Sequence, residues 1–216
     1  MSLIITALPF LTKCSTRLNE KTVDETASRI DTFNQSVDHL LGLYKWSFAR
    51  KSGTLTHTVA GTSFLLATSF VDYDEQWGIY EVYVNGEQIF PVDQGDTANR
   101  PNFQLDANNE HITFNYTIQP TDVVTVWYYA SHTDVATKSA TLNVPLPKST
   151  IAAVTLYMKY LVHDGKRQRN DARNAILDFQ EVVEELSLQN ASKKAKGLSK
   201  AVPSPLAGLS RRYANH

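Results

Sequence analysis

Six histidines, His39, His57, His111, His132, His163 and His216, are the residues best suited to acid-base or metal chemistry, and they are scattered along the chain without ligand spacing. The run Asp72-Tyr-Asp-Glu75 offers oxygens to calcium but lacks the glycine and the alternating ligands of a calcium loop. Loop carboxylates such as Asp72, Asp74 and Asp93 have no nucleophile or base paired with them by spacing. No phosphate-binding glycine loop, dinucleotide turn, HExxH helix, GxSxG elbow or CxxC pair occurs. The reading is of a protein with no catalytic residues, no metal and no cofactor. Two patterns suit binding instead. Trp77, Trp127, Tyr80, Tyr83, Tyr128 and Tyr129 are aromatics of the kind that stack on sugars, or that serve as core and cross-strand pairs. After Asn190 the chain carries Lys193, Lys194, Lys196, Lys200, Arg211 and Arg212 and no acid, with Leu198, Val202, Leu206, Leu209 and Tyr213 as apolar anchors. Dispersed cations with a single aromatic suit a protein partner better than nucleic acid.

The 216 residues are 42% hydrophobic and 20% charged, with a net charge of -1, so an apolar core is affordable and no overall charge advertises nucleic acid or membrane. Cys14 is the only cysteine, which leaves no internal disulfide and fits a reducing cytoplasm. The opening MSLIITALPFLTKC lacks the basic start and cleavage site of an export signal and is too short to span a bilayer, so neither signal nor anchor is expected.

The elements that would position these residues change type twice. Thr22 and Glu25 form a capping box ahead of Val23, Ile30, Phe33, Val37, Leu40, Leu41 and Tyr44, which recur at helical steps and predict an amphipathic helix of about six turns. A shorter helix is expected within residues 3–18, with Pro9 inside it. From Phe48 to Ala130 the period becomes two. Asn85-Gly86 marks a tight hairpin, HITFNYTI alternates, VVTVWYYA is apolar on both faces, and residues 92–103 read as a surface loop. Helical steps return after Pro147 through Ile151, Val154, Met158 and Leu161, and again through Ala172, Ile176, Phe179, Val183 and Leu186. Gly165 is the expected stop between these helices, and Glu181, Glu184 and Glu185 belong to a solvated face.

The expected architecture is therefore α+β: a bundle of three or four helices (1–47 and 147–189), an inserted small antiparallel sandwich or barrel (48–146), and an extended basic C-terminal arm (190–216). Tyr44, Trp46 and Phe48 would wedge the helix-to-strand junction, each buried ring contributing roughly 1.5–3 kcal/mol.

This order of parts, with YKWSFARKSGTLT entering the β region, the AGT turn at residues 60–62, EVYVNG, and a helical hairpin around His163-Asp-Gly-Lys166, resembles the head-to-tail adaptor proteins of tailed bacteriophages. The resemblance runs from about Thr22 to Leu188, and departs from the family at Leu65-Leu66-Ala67-Thr68 and in the β loops. It implies a structural virion protein, assembled in the bacterial cytoplasm, that forms a ring of twelve beneath the portal. Its partners would be the portal protein, neighbouring adaptor subunits and downstream tail or nozzle proteins, with double-stranded DNA only passing through the channel. The arm residues Lys193, Lys194, Leu198, Leu206, Leu209, Arg211, Arg212 and Tyr213 would then contact the portal. The alternative reading is a carbohydrate or host-surface binding module that uses the aromatic strands.

Overall fold

The hairpin at Asn85-Gly86 forms as its sequence requires. In the computed structural model, which describes residues 3–17, 27–92 and 100–201, Asn85 has φ 52° and Gly86 φ 86°, the left-handed pair that matches strand twist. It joins β4 (Ile79–Val84) to β5 (Glu87–Pro91), with Val84 opposite Glu87. Around it lie β2 (Arg50–Thr54), β3 (Gly61–Leu65), β6 (Asn102–Leu105), β7 (His111–Ile118) and β8 (Val124–Tyr129). These seven strands make one sheet in the order β2-β8-β4-β5-β6-β7-β3, curled into a half-barrel. Register shifts between Ile79 and Glu81 and between Gly61 and Ser63 add local twist to that curl.

Two strands lie apart from this sheet. β1 (Leu3–Thr6) pairs antiparallel with β9 (Thr141–Pro147), setting Leu3 opposite Pro147 and Ile4 opposite Leu146. The helices are α1 (Leu8–Arg17), α2 (Ala27–Leu43), α3 (Ile151–Gly165) and α4 (Arg169–Ala201). α3 packs against α4, α2 and α1.

The expected helical bundle with a small inserted sandwich is overturned by this arrangement. The buried side chains of the helices, among them Phe10, Phe33, Leu40, Val154, Met158 and Phe179, continue into Ile4, Leu142, Val144 and Leu146 of the two-stranded ribbon and on to Val82, Val126, Ile112 and Phe114 of the half-barrel. Helices of 10 and 17 residues have too little apolar face to close a core on their own, and the ribbon and sheet supply the rest. The sheet is also not wholly antiparallel. β5 and β6 run parallel, with Phe90 opposite Asn102. Most of the expected surface loop at 92–103, residues 93–99, lies outside the described residues.

Pro9 sits in the first turn of α1, where its missing amide hydrogen is no loss, so the predicted short helix survives its proline while residues 3–6 become strand. The capping pair Thr22 and Glu25 lies outside the described residues. α3 ends at Gly165, the expected stop, but the glycine is not the residue that takes the left-handed cap. Gly165 is still helical, and Arg167 takes the left-handed position at φ 57°. The amide of Gln168 donates to the carbonyl of His163 and that of Arg167 to Asp164, the two bonds of a Schellman cap. Of the expected extended arm, residues 190–201 are helical, as the end of the 33-residue α4, and 202–216 lie outside the described residues.

Candidate interaction site at the helix-to-strand junction

A helix leaves its last four carbonyls without intrahelical partners. At the end of α2, three of these are capped by side chains from beyond the helix. The indole Nε1 of Trp46 donates to Leu40 O at 2.6 Å, Trp77 Nε1 donates to Leu41 O at 3.1 Å, and Gln76 Nε2 donates to Gly42 O at 3.3 Å. Two tryptophans and a glutamine thus replace the usual glycine cap. Three residues after α2, a single 3-10 turn at Ser47–Ala49 leads directly into β2.

Of the three junction aromatics, Trp46 is the anchor, with 2% of its surface exposed. Its ring lies 5.5 Å from that of Phe48 in a stack and 5.3 Å from that of Tyr44 edge-on. Phe48 is half-buried, whereas Tyr44 is 39% exposed and does not contribute the full burial expected of it. The structure therefore brings the three rings together with unequal roles: one is core and two flank it.

The root of the C-terminal segment meets the same point. Asn190, on α4, accepts the Ser47 amide on Oδ1 at 3.0 Å and donates from Nδ2 to Lys45 O at 3.2 Å. One side-chain amide thus grips the backbone on both sides of Trp46, across more than 140 residues of sequence. A groove of about 180 Å³ opens beside it, lined by Leu3, Trp46, Phe48, Pro147, Leu186 and Asn190 among others. The site joins both ends of the described chain to the entry of the sheet. It presents amides, aromatic rings and aliphatic carbons.

Arm residues fall in two groups. Lys193, Lys194 and Leu198 lie within the helical stretch of α4, while Leu206, Leu209, Arg211, Arg212 and Tyr213 lie outside the described residues. Asn190, Gln76 and the capping role of Trp77 were not foreseen. A polar residue at the end of an amphipathic pattern carries no signal for a partner so distant in sequence.

Of the carboxylates and histidines singled out for chemistry, Asp93 and His216 lie outside the described residues, and Asp72, Asp74, His39, His111 and His132 make structural contacts. Asp72 receives the Lys51 ammonium, the Tyr128 hydroxyl at 2.9 Å and the Asn143 amide at 3.5 Å, so one carboxylate ties β2, β8 and β9 to its own turn. Burial pushes its pKa up, but the hydrogen bonds and the charge of Lys51 outweigh burial and hold it below the ordinary carboxylate value. Asp74 accepts the Gln76 amide at 2.9 Å. Asp106, Glu110 and His111 place one ligand atom each within 4.8 Å of one another, yet Asp106 already accepts the amides of Glu110 and His111 and faces His111 Nδ1 at 3.1 Å. This is a turn that caps itself. His39 stacks on Tyr157 at 4.1 Å between ring centres. His132 Nε2 meets Asn34 Oδ1 at 3.1 Å, and burial lowers the His132 pKa, so the neutral ring donates there.

Aromatics offered for carbohydrate are similarly engaged. Tyr128 packs inward on Phe70, and the Arg50 guanidinium sits 4.6 Å from the Tyr80 ring centre and 5.6 Å from that of Tyr129. Lys45 lies 5.8 Å over Trp77. A cation on a ring occupies the face a sugar would need. Trp127 keeps 36% of its surface exposed, and Tyr83 donates to Glu81 at 3.1 Å.

Compared with known protein families and curated proteins, the chain matches no family model and no curated sequence. Among the described residues no helix is long and apolar enough to cross a membrane.

Proposed function

We propose that this protein is a head-to-tail adaptor: a virion subunit that assembles in the bacterial cytoplasm as a ring of about twelve beneath a portal, extends the DNA channel and offers a platform to tail or nozzle proteins. The observation that carries this reading is the clamp of Asn190 on Lys45 and Ser47. It ties α4, just beyond its last buried side chain Leu186, to the helix-to-strand junction, so the segment after Asn190 starts from a fixed place on the body. A part that must reach a partner ring needs that property.

In this reading the segment after Asn190 carries the portal contacts: Lys193, Lys194, Arg211 and Arg212 meet acidic rims, and Leu198, Leu206, Leu209 and Tyr213 fill apolar grooves. Twelve copies held on one symmetric partner act through effective concentration, so modest contacts per copy suffice. The half-barrel, whose Leu65, Phe90 and Val123 remain exposed, faces neighbours or tail proteins. Chemistry is absent from this mechanism; assembly is the activity.

Sedimentation velocity tests it. The full chain and a version ending at Asn190 are each mixed with the portal ring encoded by the same genome. A large complex formed by the full chain and lost on truncation is the expected result. No complex with either version overturns the adaptor reading, and a change in tryptophan fluorescence on adding soluble glycans would then favour the carbohydrate-binding module.

A further inference from the structure

α3 ends against the first half of α4, and the last side chain of α4 buried among the described residues is Leu186. From Asn190 to Ala201 the helix runs on for about 16 Å at the standard rise. The first half carries the opposite charge from the second. Asp178, Glu181 and Glu185 are exposed and make no ion pair among the described residues; Glu185 accepts only the Gln189 amide, at 3.3 Å. Asp178 and Glu181 border an open groove between α3 and α4 whose other lining is Ala152, Leu156, Lys159 and Val182. Lys193, Lys196 and Lys200 follow in the second half, with no acid after Glu185.

The spacing of these charges is symmetric. Glu185 lies four residues before Gln189 and Lys193 four after it; Asp178 lies eleven before and Lys200 eleven after; Glu181 and Lys196 fall eight before and seven after. Steps of three and four connect 178, 181, 185, 189, 193, 196 and 200, so all seven positions share one side of the helix. A single helix side that is acidic, then basic, about a central residue is complementary to itself when turned end for end. A parallel neighbour would need the two stripes on opposite sides.

We infer that two copies of this chain pair through α4 in an antiparallel, two-fold contact centred on Gln189, the 190–201 stretch of each lying in the α3/α4 groove of the other. Asp178 then meets Lys200, Glu181 meets Lys196 and Glu185 meets Lys193, each twice, over the apolar floor of Leu156 and Val182. This contact stands without the portal. If the adaptor reading also holds, the pair stores the free protein, and a portal must displace one copy's C-terminal segment from the other's groove.

Charge exchange tests the inference. The triple variants D178K/E181K/E185K and K193E/K196E/K200E are prepared separately, and their folding is checked by far-ultraviolet circular dichroism. Sedimentation velocity at high protein concentration and low ionic strength should show wild type as a dimer that weakens about tenfold or more on raising salt to about 0.5 M. Each variant alone should be monomeric, and their equimolar mixture should dimerise again. Carbodiimide cross-linking of mixed nitrogen-15 and unlabelled wild type should join Lys193 to Glu185 and Lys200 to Asp178 between chains. Monomeric wild type, a mixture that stays monomeric, or links of Lys193 to Asp178 and Lys200 to Glu185 would each overturn the antiparallel contact. None of these outcomes depends on portal binding, which the truncation experiment reads separately.

Discussion

Replacing Trp46 by phenylalanine keeps an aromatic ring at the junction but removes the Nε1 hydrogen that Leu40 O accepts at 2.6 Å. Leu40 is fully buried, and a carbonyl stranded there loses its partner without gaining water, which costs about 1–3 kcal/mol. The smaller ring leaves a void beside Phe48 worth about 1 kcal/mol more. The expected loss for Trp46→Phe is therefore about 2–4 kcal/mol, and Trp46→Ala should exceed that, with a core aromatic-to-alanine change alone costing about 3–5 kcal/mol. Against the 5–15 kcal/mol typical of a folded domain, the alanine variant stands near the limit of folding. Trp77→Phe serves as the comparison. Its indole is half-buried and its bond to Leu41 O is longer, 3.1 Å, so about 0.5–1.5 kcal/mol should be lost. Urea unfolding followed by circular dichroism gives all three values, with an unchanged denaturant slope showing that the same structure unfolds. A Trp46→Phe loss below about 1 kcal/mol, or one no larger than that of Trp77→Phe, would show that Trp46 fills space and does not cap α2.

Asn190→Ala removes both bonds to the junction and should cost about 1–2 kcal/mol in the same assay; it should also raise amide hydrogen exchange at Ser47, and unchanged exchange would mean that the clamp is not held in solution. Asp72 predicts a pH response. Its folded pKa lies below the unfolded value, so its contribution is complete above about pH 4 and is lost as pH falls through the folded value. Stability measured from pH 6 down to pH 2 should fall less steeply in Asp72→Asn than in wild type, and parallel curves would contradict the assignment. Arg167→Gly should stabilise by about 0.5–1 kcal/mol, because a non-glycine residue holds the left-handed position of the α3 cap; a lower melting temperature would show that the side chain contributes more than the backbone strain costs.

The local parts of this fold were legible because their signals are local. Ile30, Phe33, Val37, Leu40 and Leu41 are buried along α2 as their spacing predicts, and Asn85-Gly86 forms its hairpin. What failed required knowledge of distant partners. Leu3–Thr6 reads as the start of a helix, and Thr141–Pro147, with two prolines, gives no strand pattern of its own; each becomes a strand because the other is there to pair with, and a two-stranded ribbon tolerates proline at its edge. Asn34 shows the same limit. It looks like one polar position on a helix, yet it is buried, donating to Val135 O and accepting from Val135 N, both at 3.1 Å, so that α2 holds the loop before β9 as a strand would. The junction aromatics were visible as a cluster, but which one caps the helix was not.

These misses share a consequence for how the molecule works. Asn34, Asp72 and Asn190 each join segments far apart in sequence, and together they fix α2 to the loop before β9, β9 to the half-barrel, and α4 to the entry of β2. The bonds differ in strength by environment. Asn34 is buried, Asp72 is partly buried, and the Asn190 bonds are exposed, where water competes for the same groups. Asn190, within α4, is thus tied to the junction by weaker bonds than those that hold the core. Loss of these two exposed hydrogen bonds would leave the buried Trp46 beside them in place.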